Sequence, residues 1–485
     1  MRLNKIIEGI VVEEVLGTSS ESVDISGICF DSRCCSKGNL FVAQKGVASD
    51  GHKYIEMAIQ NGASAVLCEE LPEKRLDATI IKIGDTHSAL GLASSNFYGK
   101  PSDKIKVVGI TGTNGKTTTA TLLYRLFTGL GYKCGLLSTI ANYIVNKEVS
   151  ATHTTPDPVQ MNRLMSEMVE AGCEYCFMEV SSHSIDQKRT SGVKFTGGLF
   201  SNITHDHLDY HKTFAEYIRV KKSFFDQLPA DAFALTNIDD RNGMVMLQNC
   251  VALKQRYSCQ SPAEFNCRIV EKSLDGMLLN IGGKELWTRF IGAHNAYNLL
   301  SVFATAKLLG ANEEEILIEL SKLSTVAGRL EYVKGGSDII AVVDYAHTPD
   351  ALENVLKTLK DSANGKDIVT VFGCGGNRDK TKRPEMAEVS TKYSDRIIVT
   401  SDNPRFEEPE EIIEDIKKGF SPKDLAKTLF ITDRREAIRA AIMMASPGSI
   451  VLVAGKGHEN YQEIKGVKHH FDDKEEITKI LRLND

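Results

Sequence analysis

Long apolar runs are missing from this chain. No stretch approaches the about 18 consecutive apolar residues that a membrane-crossing helix needs, so no membrane span is expected. The opening residues, MRLNKIIEGIVVEEV, carry acidic groups where a secretory leader needs an apolar core, and no leader is expected either. Low-complexity tracts are absent; the composition is ordinary globular, 42% hydrophobic and 25% charged. Cationic excess is lacking, since 58 Lys and Arg face 64 Asp and Glu for a net charge of −6, which argues against a broad nucleic-acid-binding surface. Paired cysteine motifs are scarce. Cys173 and Cys176 make one CxxC in GCEYC, and no second CxxC or His pair follows at zinc-finger spacing. The surrounding YCFMEV reads as a buried strand, so these thiols are expected in a core. Eleven Cys without a secretion signal read as reduced thiols and a cytoplasmic location.

What is present is a phosphate loop. Residues 109–119 read GITGTNGKTTT between an apolar strand, KIKVVGI, and a helix beginning near Lys116. Gly112 and Gly115 let the backbone fold around an oxyanion, helix-start N–H groups face it, and Lys116 adds charge. The Thr117 hydroxyl is a Mg²⁺ ligand in such loops. The usual pattern has Gly where Ile110 stands, so the loop is a shortened form. The bland alternative is a strand-to-helix turn that merely uses Gly.

The length, 485 residues, suggests about three domains. Residues 1–98 carry short strands and turns, and GKP at 99–101 reads as a linker. Residues 99–328 alternate strands (CGLLST, YCFMEV, GGLFSNI, FALTNI) with helical stretches, the pattern of a mostly parallel sheet. Residues 329–485 alternate again, and their strands end in DYAHTPD, GCGGNRDK, SDNPR, TDRR and GKGHE. Ligands of open parallel sheets bind at strand carboxyl ends, so these clusters are expected at one crevice; TDRR best fits an ordinary turn. The expected class is α/β in three domains: a small N-terminal α/β domain, a central P-loop domain and a C-terminal Rossmann-like domain.

Two further stretches carry chemistry. Glu179, at the end of YCFME, is placed to hold Mg²⁺ directly or through water; the alternative is a structural ion pair. NITHDHLDYH (202–211) packs three His and two Asp into ten residues. It nearly matches HxHxDH of binuclear hydrolases, but Tyr210 intervenes before His211. His207 assisting a second Mg²⁺ is the favoured reading, with other His and Asp holding the loop. Lys221 and Lys222 lie on an expected helix, AEYIRVKKSFFDQL, where Lys222 reads as a solvated face.

Taken together, TGTNGKTTT, TTPD, MEVSSHSIDQKR, NITHDHLDYH, GAHNAYN, AGRLE, DYAHTPDAL, GCGGNRDKTKRP, DNPR and AGKGHE, in this order and over essentially the whole length, resemble the Mur ligases. These are ATP-dependent amino-acid ligases of cell-wall precursor (peptidoglycan) synthesis. The likeness is greatest to members that add a diamino acid to UDP-MurNAc-L-Ala-D-Glu, and in that family the abbreviated loop TGTNGK[ST] is the rule. The resemblance implies that the first domain binds the uridine nucleotide, with Ser32 of DSR and the GVASDG turn near it. It implies that Thr154, Thr155, Ser181, Gln187 and Arg189 hold the muramoyl-dipeptide. Gly112, Thr113, Asn114, Gly115, Lys116, Thr117 and Thr118, with Asn295, Asn298, Arg329 and Asp344, would contact ATP. Lys221 matches a lysine that is carbamylated in these ligases and helps bind Mg²⁺, a sensible conversion because a carbamate is a hard oxygen ligand. The neighbour pattern VKKSFF leaves Lys222 as the other register.

The implied reaction has the D-Glu carboxylate attack the γ-phosphorus of ATP to give an acyl phosphate, which the incoming amine then attacks. Lys116, Glu179, His207 and Lys221 are the expected catalytic and metal-holding set. Asp402, Asn403, Pro404 and Arg405 of DNPR, with Arg378, Gly455 and Glu459, match amino-acid contacts. Arg405 can pair bidentately with the distal carboxylate of meso-diaminopimelate and would repel lysine; meso-lanthionine and L-lysine remain alternatives. A folylpolyglutamate-type ligase, a metal-dependent hydrolase built on THDHLDYH, and a non-catalytic P-loop switch are the competing readings. A monomer is expected.

Overall fold

The computed structural model describes residues 1–46, 49–204, 206, 208–273, 275–333, 339–363 and 365–483. They form two compact units interleaved in sequence. One comprises Met1–Gly112, Thr119–Ser201 and Tyr217–Arg256; the other comprises Thr113–Thr118, Asn202–Glu216 and Tyr257–Asp485.

The first unit holds two sheets. The N-terminal sheet pairs Gly27–Cys29, Asn39–Val42, Ala63–Cys68 and Thr79–Ile83 in parallel, with Val12–Leu16 antiparallel on the far edge. Alternate residues face opposite sides: Leu40, Val42, Ala65 and Leu67 pack with Leu3, Ile6 and Leu90, while Phe41 and Val66 pack with Ile55 and Ala58. The central sheet orders Phe233–Asn237, Gly197–Phe200, Lys106–Thr111, Tyr175–Glu179 and Cys134–Leu137 in parallel, then Asn142–Ile144 and Lys147–Val149 antiparallel. Cys173 and Cys176 are free and buried, and burial pushes the Cys176 thiol up, as a core position requires.

In the second unit a parallel sheet runs Ile340–Asp344, Ile450–Ala454, Ile368–Phe372, Arg396–Val399 and Thr428–Phe430, with Glu331–Val333 antiparallel beside the first. The four strands from Ile340–Asp344 to Arg396–Val399 are buried on both faces. Val342, Ile368, Phe372 and Leu452 meet helices Pro349–Ser362, Lys382–Tyr393 and Pro409–Lys417 on one side. Val343, Val369, Val371 and Val453 meet Arg434–Met444 and Asp473–Leu483 on the other. This doubly wound packing explains the near-continuous Val and Ile runs. Two elements went unread in the sequence: the antiparallel set Phe265–Ser273, Gly276–Ile281 and Lys284–Thr288, and the hairpin Tyr461–Ile464 with Val467–His470.

Helix starts account for part of the motif chemistry. Asp157 of TTPD caps helix Pro158–Glu170 by accepting from the Val159 and Gln160 N–H groups, with Pro158 at the first helical position. Thr348 of AHTPD caps Pro349–Ser362 by accepting from the Ala351 N–H group, with Pro349 at the first helical position. Both follow the preference for a polar cap followed by Pro.

Candidate active site

The phosphate loop folds as expected: strand Lys106–Thr111, a tight turn, then helix Lys116–Gly129. Asn202 braces the turn, accepting from Thr113 N–H through its carbonyl at 2.8 Å and from Asn114 N–H through Oδ1 at 2.9 Å. The Lys116 ammonium donates to the Thr113 carbonyl at 2.9 Å, which keeps its charge at the turn. Gly115 has φ +88°, and a Cβ there would stand 2.6 Å from Asn298 Oδ1. Glycine is therefore required both for conformation and for space. Asn298 Nδ2 in turn donates to Asn295 Oδ1 at 3.1 Å. Thr117 Oγ1 is 3.5 Å from Arg329 Nη2, and Thr118 is buried beside it in the helix. Asp344 ends its strand with Oδ2 accepting from Leu330 N–H and Oδ1 from Ala346 N–H, each at 2.7 Å. Burial holds the Asp344 carboxyl above the ordinary carboxylate value, against the pull of Arg329 and these two N–H groups. The expected ATP contacts in this unit are thus joined through Asn298, Arg329 and Leu330.

In the other unit, Glu179 is fully buried at its strand end. Thr139 N–H and hydroxyl donate to its carboxylate at 2.7 and 3.2 Å. The Thr139 hydroxyl is also 3.2 Å from Thr154 Oγ1. Thr155 Oγ1 donates to the Glu179 carbonyl at 2.8 Å and accepts from Ser181 N–H at 3.1 Å. Arg189 donates to the Thr155 carbonyl at 2.9 Å and to Gln187 Oε1 at 2.7 and 3.0 Å. Thr154, Thr155, Glu179, Ser181, Gln187 and Arg189 therefore form one hydrogen-bonded group. Ser32 sits in its own neighbourhood, in the 3-10 turn Ser32–Cys34, where its carbonyl accepts from Asn61.

Lys221 and Lys222 differ sharply. Lys221 is buried, with Nζ 2.9 Å from the Gly112 carbonyl and 3.3 Å from Thr111 Oγ1. Lys222 pairs with Asp226 one helical turn away at 2.7 Å. His207 and His205 lie outside the described residues. Among the described residues, no group of three His, Cys, Asp or Glu is disposed to hold a metal. The hard-oxygen donors present, Glu179 and Thr117, suit Mg²⁺ by type.

At the carboxyl edge of the second unit's sheet the amino-acid candidates converge. Asn403 Nδ2 donates to Glu459 Oε2 at 2.8 Å. Gly455 has φ +119°, and a Cβ there would lie 2.9 Å from Asp402 Oδ2. Arg405 Nη1 donates to the Gly376 carbonyl at 2.8 Å, and its Nε lies 3.4 Å from Glu463. A Cβ at Gly376 would lie 2.0 Å from the Pro404 carbonyl oxygen, and Arg378 is exposed. Burial and the charge of Asp402 push the Glu459 carboxyl up, against Lys456 and Asn403.

Three residues in these groups escaped the sequence reading. Tyr345 lies under Arg329, 4.7 Å from the guanidinium to the ring centroid, and its hydroxyl is 3.4 Å from Glu459. Lys456 is fully buried, 3.0 Å from Asn403 Oδ1. Glu463 belongs to the unread hairpin. Tyr345 and Lys456 stand in strand-end clusters, the signal that could have found them. TDRR proves structural: Asp433 caps a helix, and Arg434 forms a fully buried pair with Asp473 at 2.7 Å.

Comparison with known proteins identifies the class. Family models match in chain order: the Mur ligase family catalytic domain over residues 24–98, the Mur ligase middle domain over 110–306, and the Mur ligase glutamate ligase domain over 328–457. The chain belongs to the Mur ligase family. It is 54% identical over 483 residues to the UDP-N-acetylmuramoyl-L-alanyl-D-glutamate–2,6-diaminopimelate ligase of Phocaeicola vulgatus, covering 99% of each chain. It is 52% identical to the protein of the same name from Bacteroides fragilis, over all of both chains. A solved structure of a UDP-N-acetylmuramoyl-L-alanyl-D-glutamate–2,6-diaminopimelate ligase matches with a TM-score of 0.71 at 31% identity, over 99% of this chain and 98% of that one.

Proposed function

We propose that this chain ligates meso-2,6-diaminopimelate to the D-Glu side-chain carboxyl of UDP-MurNAc-L-Ala-D-Glu, using ATP, in peptidoglycan precursor synthesis. The observation that carries the choice of amino acid is the DNPR cluster, in which Arg405 stands at a strand edge with Asn403 bonded to Glu459. A guanidinium there complements a distal carboxylate and disfavours the lone ammonium of lysine.

On this reading residues 1–98 bind the uridine nucleotide through Ser32 and its surroundings, residues 99–328 bind ATP, and residues 329–485 carry the amino acid. Thr154, Thr155, Ser181, Gln187 and Arg189 hold the muramoyl-dipeptide. The first step brings two anions together, so Lys116 steadies the γ-phosphate as the D-Glu carboxylate attacks it. The acyl phosphate formed is attacked by the incoming amine, and the tetrahedral intermediate releases phosphate and leaves an amide. Arg405 and Arg378 hold carboxylates of the amino acid; Gly455 and Glu459 receive an ammonium. Thr117, Glu179, His207 and a carbamate on Lys221 would hold Mg²⁺, which when bound neutralises charge on the phosphates. The protein works as a monomer in the cytoplasm.

The test measures phosphate release with ATP, UDP-MurNAc-dipeptide and a panel of diaminopimelate, lanthionine and lysine. Release with diaminopimelate is expected. No release with any amino acid would overturn the ligase reading; release with lysine alone would overturn the Arg405 argument.

A further inference from the structure

A buried ammonium without an assigned task stands at the centre of the amino-acid cluster. Lys456 follows strand Ile450–Ala454 and has no exposed side-chain surface. Its Nζ lies 3.0 Å from Asn403 Oδ1 and 3.5 Å from both Asp402 Oδ1 and Glu459 Oε2. Burying an ammonium is costly unless anions and acceptors surround it. Here two carboxylates and an amide do so.

The amide is the informative partner. Asn403 Oδ1 accepts from Lys456 and also from Glu463 N–H at 2.9 Å. Two donors on the oxygen fix which way the amide faces, so Nδ2 points at Glu459. The charges around Glu459 are Lys456 and Asp402, with the Arg434–Asp473 pair behind them; the Tyr345 hydroxyl touches it, Arg329 lies over Tyr345, and Tyr461 faces Lys456 at 5.7 Å. Among the described residues, Lys456 is the cation 3.5 Å from both Asp402 and Glu459.

We propose that Lys456 is a positioning residue for the incoming amino acid: its ammonium orients the Asn403 amide, whose Nδ2 then holds the Glu459 carboxylate, and balances the charge of Glu459, so that this carboxylate is kept as the anionic partner of the substrate ammonium. The inference rests on the ligase reading. Burial already pushes Glu459 up, and removing Lys456 moves it further in that direction. A neutral Glu459 no longer attracts an ammonium.

Lys456→Met tests this by steady-state kinetics. The amino-acid KM is expected to rise about tenfold or more, with the KM values for ATP and UDP-MurNAc-dipeptide within about twofold of wild type. The variant's amino-acid KM should fall more steeply with rising pH than the wild-type value does, because loss of Lys456 raises the Glu459 carboxyl further. Glu459→Gln should add little to Lys456→Met at low pH. Lys456→Gln, which is shorter but keeps a polar N–H donor without the charge, serves if the methionine variant does not fold and should raise the amino-acid KM in the same direction. An unchanged amino-acid KM, a pH-independent rise, or an equal rise for ATP would each overturn the proposal. Wild-type enzyme that releases no phosphate with any amino acid would instead remove the ligase reading beneath it.

Discussion

Thr139 gives both its backbone N–H and its hydroxyl to the Glu179 carboxylate, at 2.7 and 3.2 Å. The strand end is thereby tied to the loop after Cys134–Leu137, and a buried acid is held without leaving its strand. Glu179→Gln keeps an acceptor for Thr139 but loses the charge. Its unfolding free energy should stay within about 1 kcal/mol of wild type while phosphate release falls by about 100-fold. Glu179→Ala should lose activity and about 1–3 kcal/mol, because the Thr139 N–H loses its partner. Denaturant unfolding alongside the phosphate assay separates the two effects.

Adjacent lysines should respond in opposite ways. Lys222→Met breaks a helical ion pair with Asp226 and should cost about 0.5 kcal/mol with turnover retained. Lys221→Met should abolish turnover, because the group beside the Gly112 carbonyl is the one that would become a carbamate. Intact-mass measurement in bicarbonate reads that modification on the native protein, and its absence would remove the carbamate from the scheme.

Arg405→Ala should raise the KM for diaminopimelate far more than that for ATP. Arg405→Lys should recover only part of the loss, since an ammonium cannot engage a carboxylate through two parallel N–H groups. Equal effects on both KM values would point to a collapsed loop.

The buried Arg434–Asp473 pair, with Arg434 also donating to the Ala454 carbonyl at 3.0 Å, supports the sheet beneath the amino-acid cluster. Arg434→Met leaves Asp473 buried and unpaired and should cost about 3–5 kcal/mol. Arg434→Met combined with Asp473→Leu should recover a large share of that, as read by chemical denaturation.

Acid stability should depend on Glu407. Arg383 grips this carboxylate through two bonds of 3.0 Å, which lowers it from 4.5 to about 2. A carboxyl lowered in the folded state binds fewer protons there than in the unfolded chain between these values. Its stabilisation is therefore complete above about pH 4.5 and is lost as the pH falls towards about 2. Glu407→Gln should lack this component of the pH slope, measured as the shift in denaturant midpoint.

Much of the second unit was legible in the sequence, because the inner strands of its parallel sheet are buried on both faces and stand out as runs such as DIIAVVD, DIVTVF and SIVLVA. Their polar ends could be assigned to one edge by the rule for parallel sheets. The phosphate loop was legible through its glycines and the strand before it. The hairpin Tyr461–Ile464 with Val467–His470 was not, since its residues are half-buried or exposed and include no apolar alternation. Lys456 was overlooked for a related reason: a lysine's burial depends on carboxylates distant in sequence, here Asp402, and nothing local announces it.

That hairpin has a consequence for how the protein can change. It grips Arg405 by the backbone, with Arg405 N–H donating to the Glu463 carbonyl and Lys465 N–H to the Arg405 carbonyl, and it holds that residue at φ +52°. A left-handed backbone costs a residue with a Cβ about 1–2 kcal/mol, and β-branched residues suffer further. A β-branched residue at position 405 therefore meets a backbone that Arg405 tolerates and it does not, whereas an unbranched replacement inherits a cost the fold already carries. Because the hairpin holds position 405 through main-chain groups, the side chains of Glu463 and its neighbours can vary while that hold is kept.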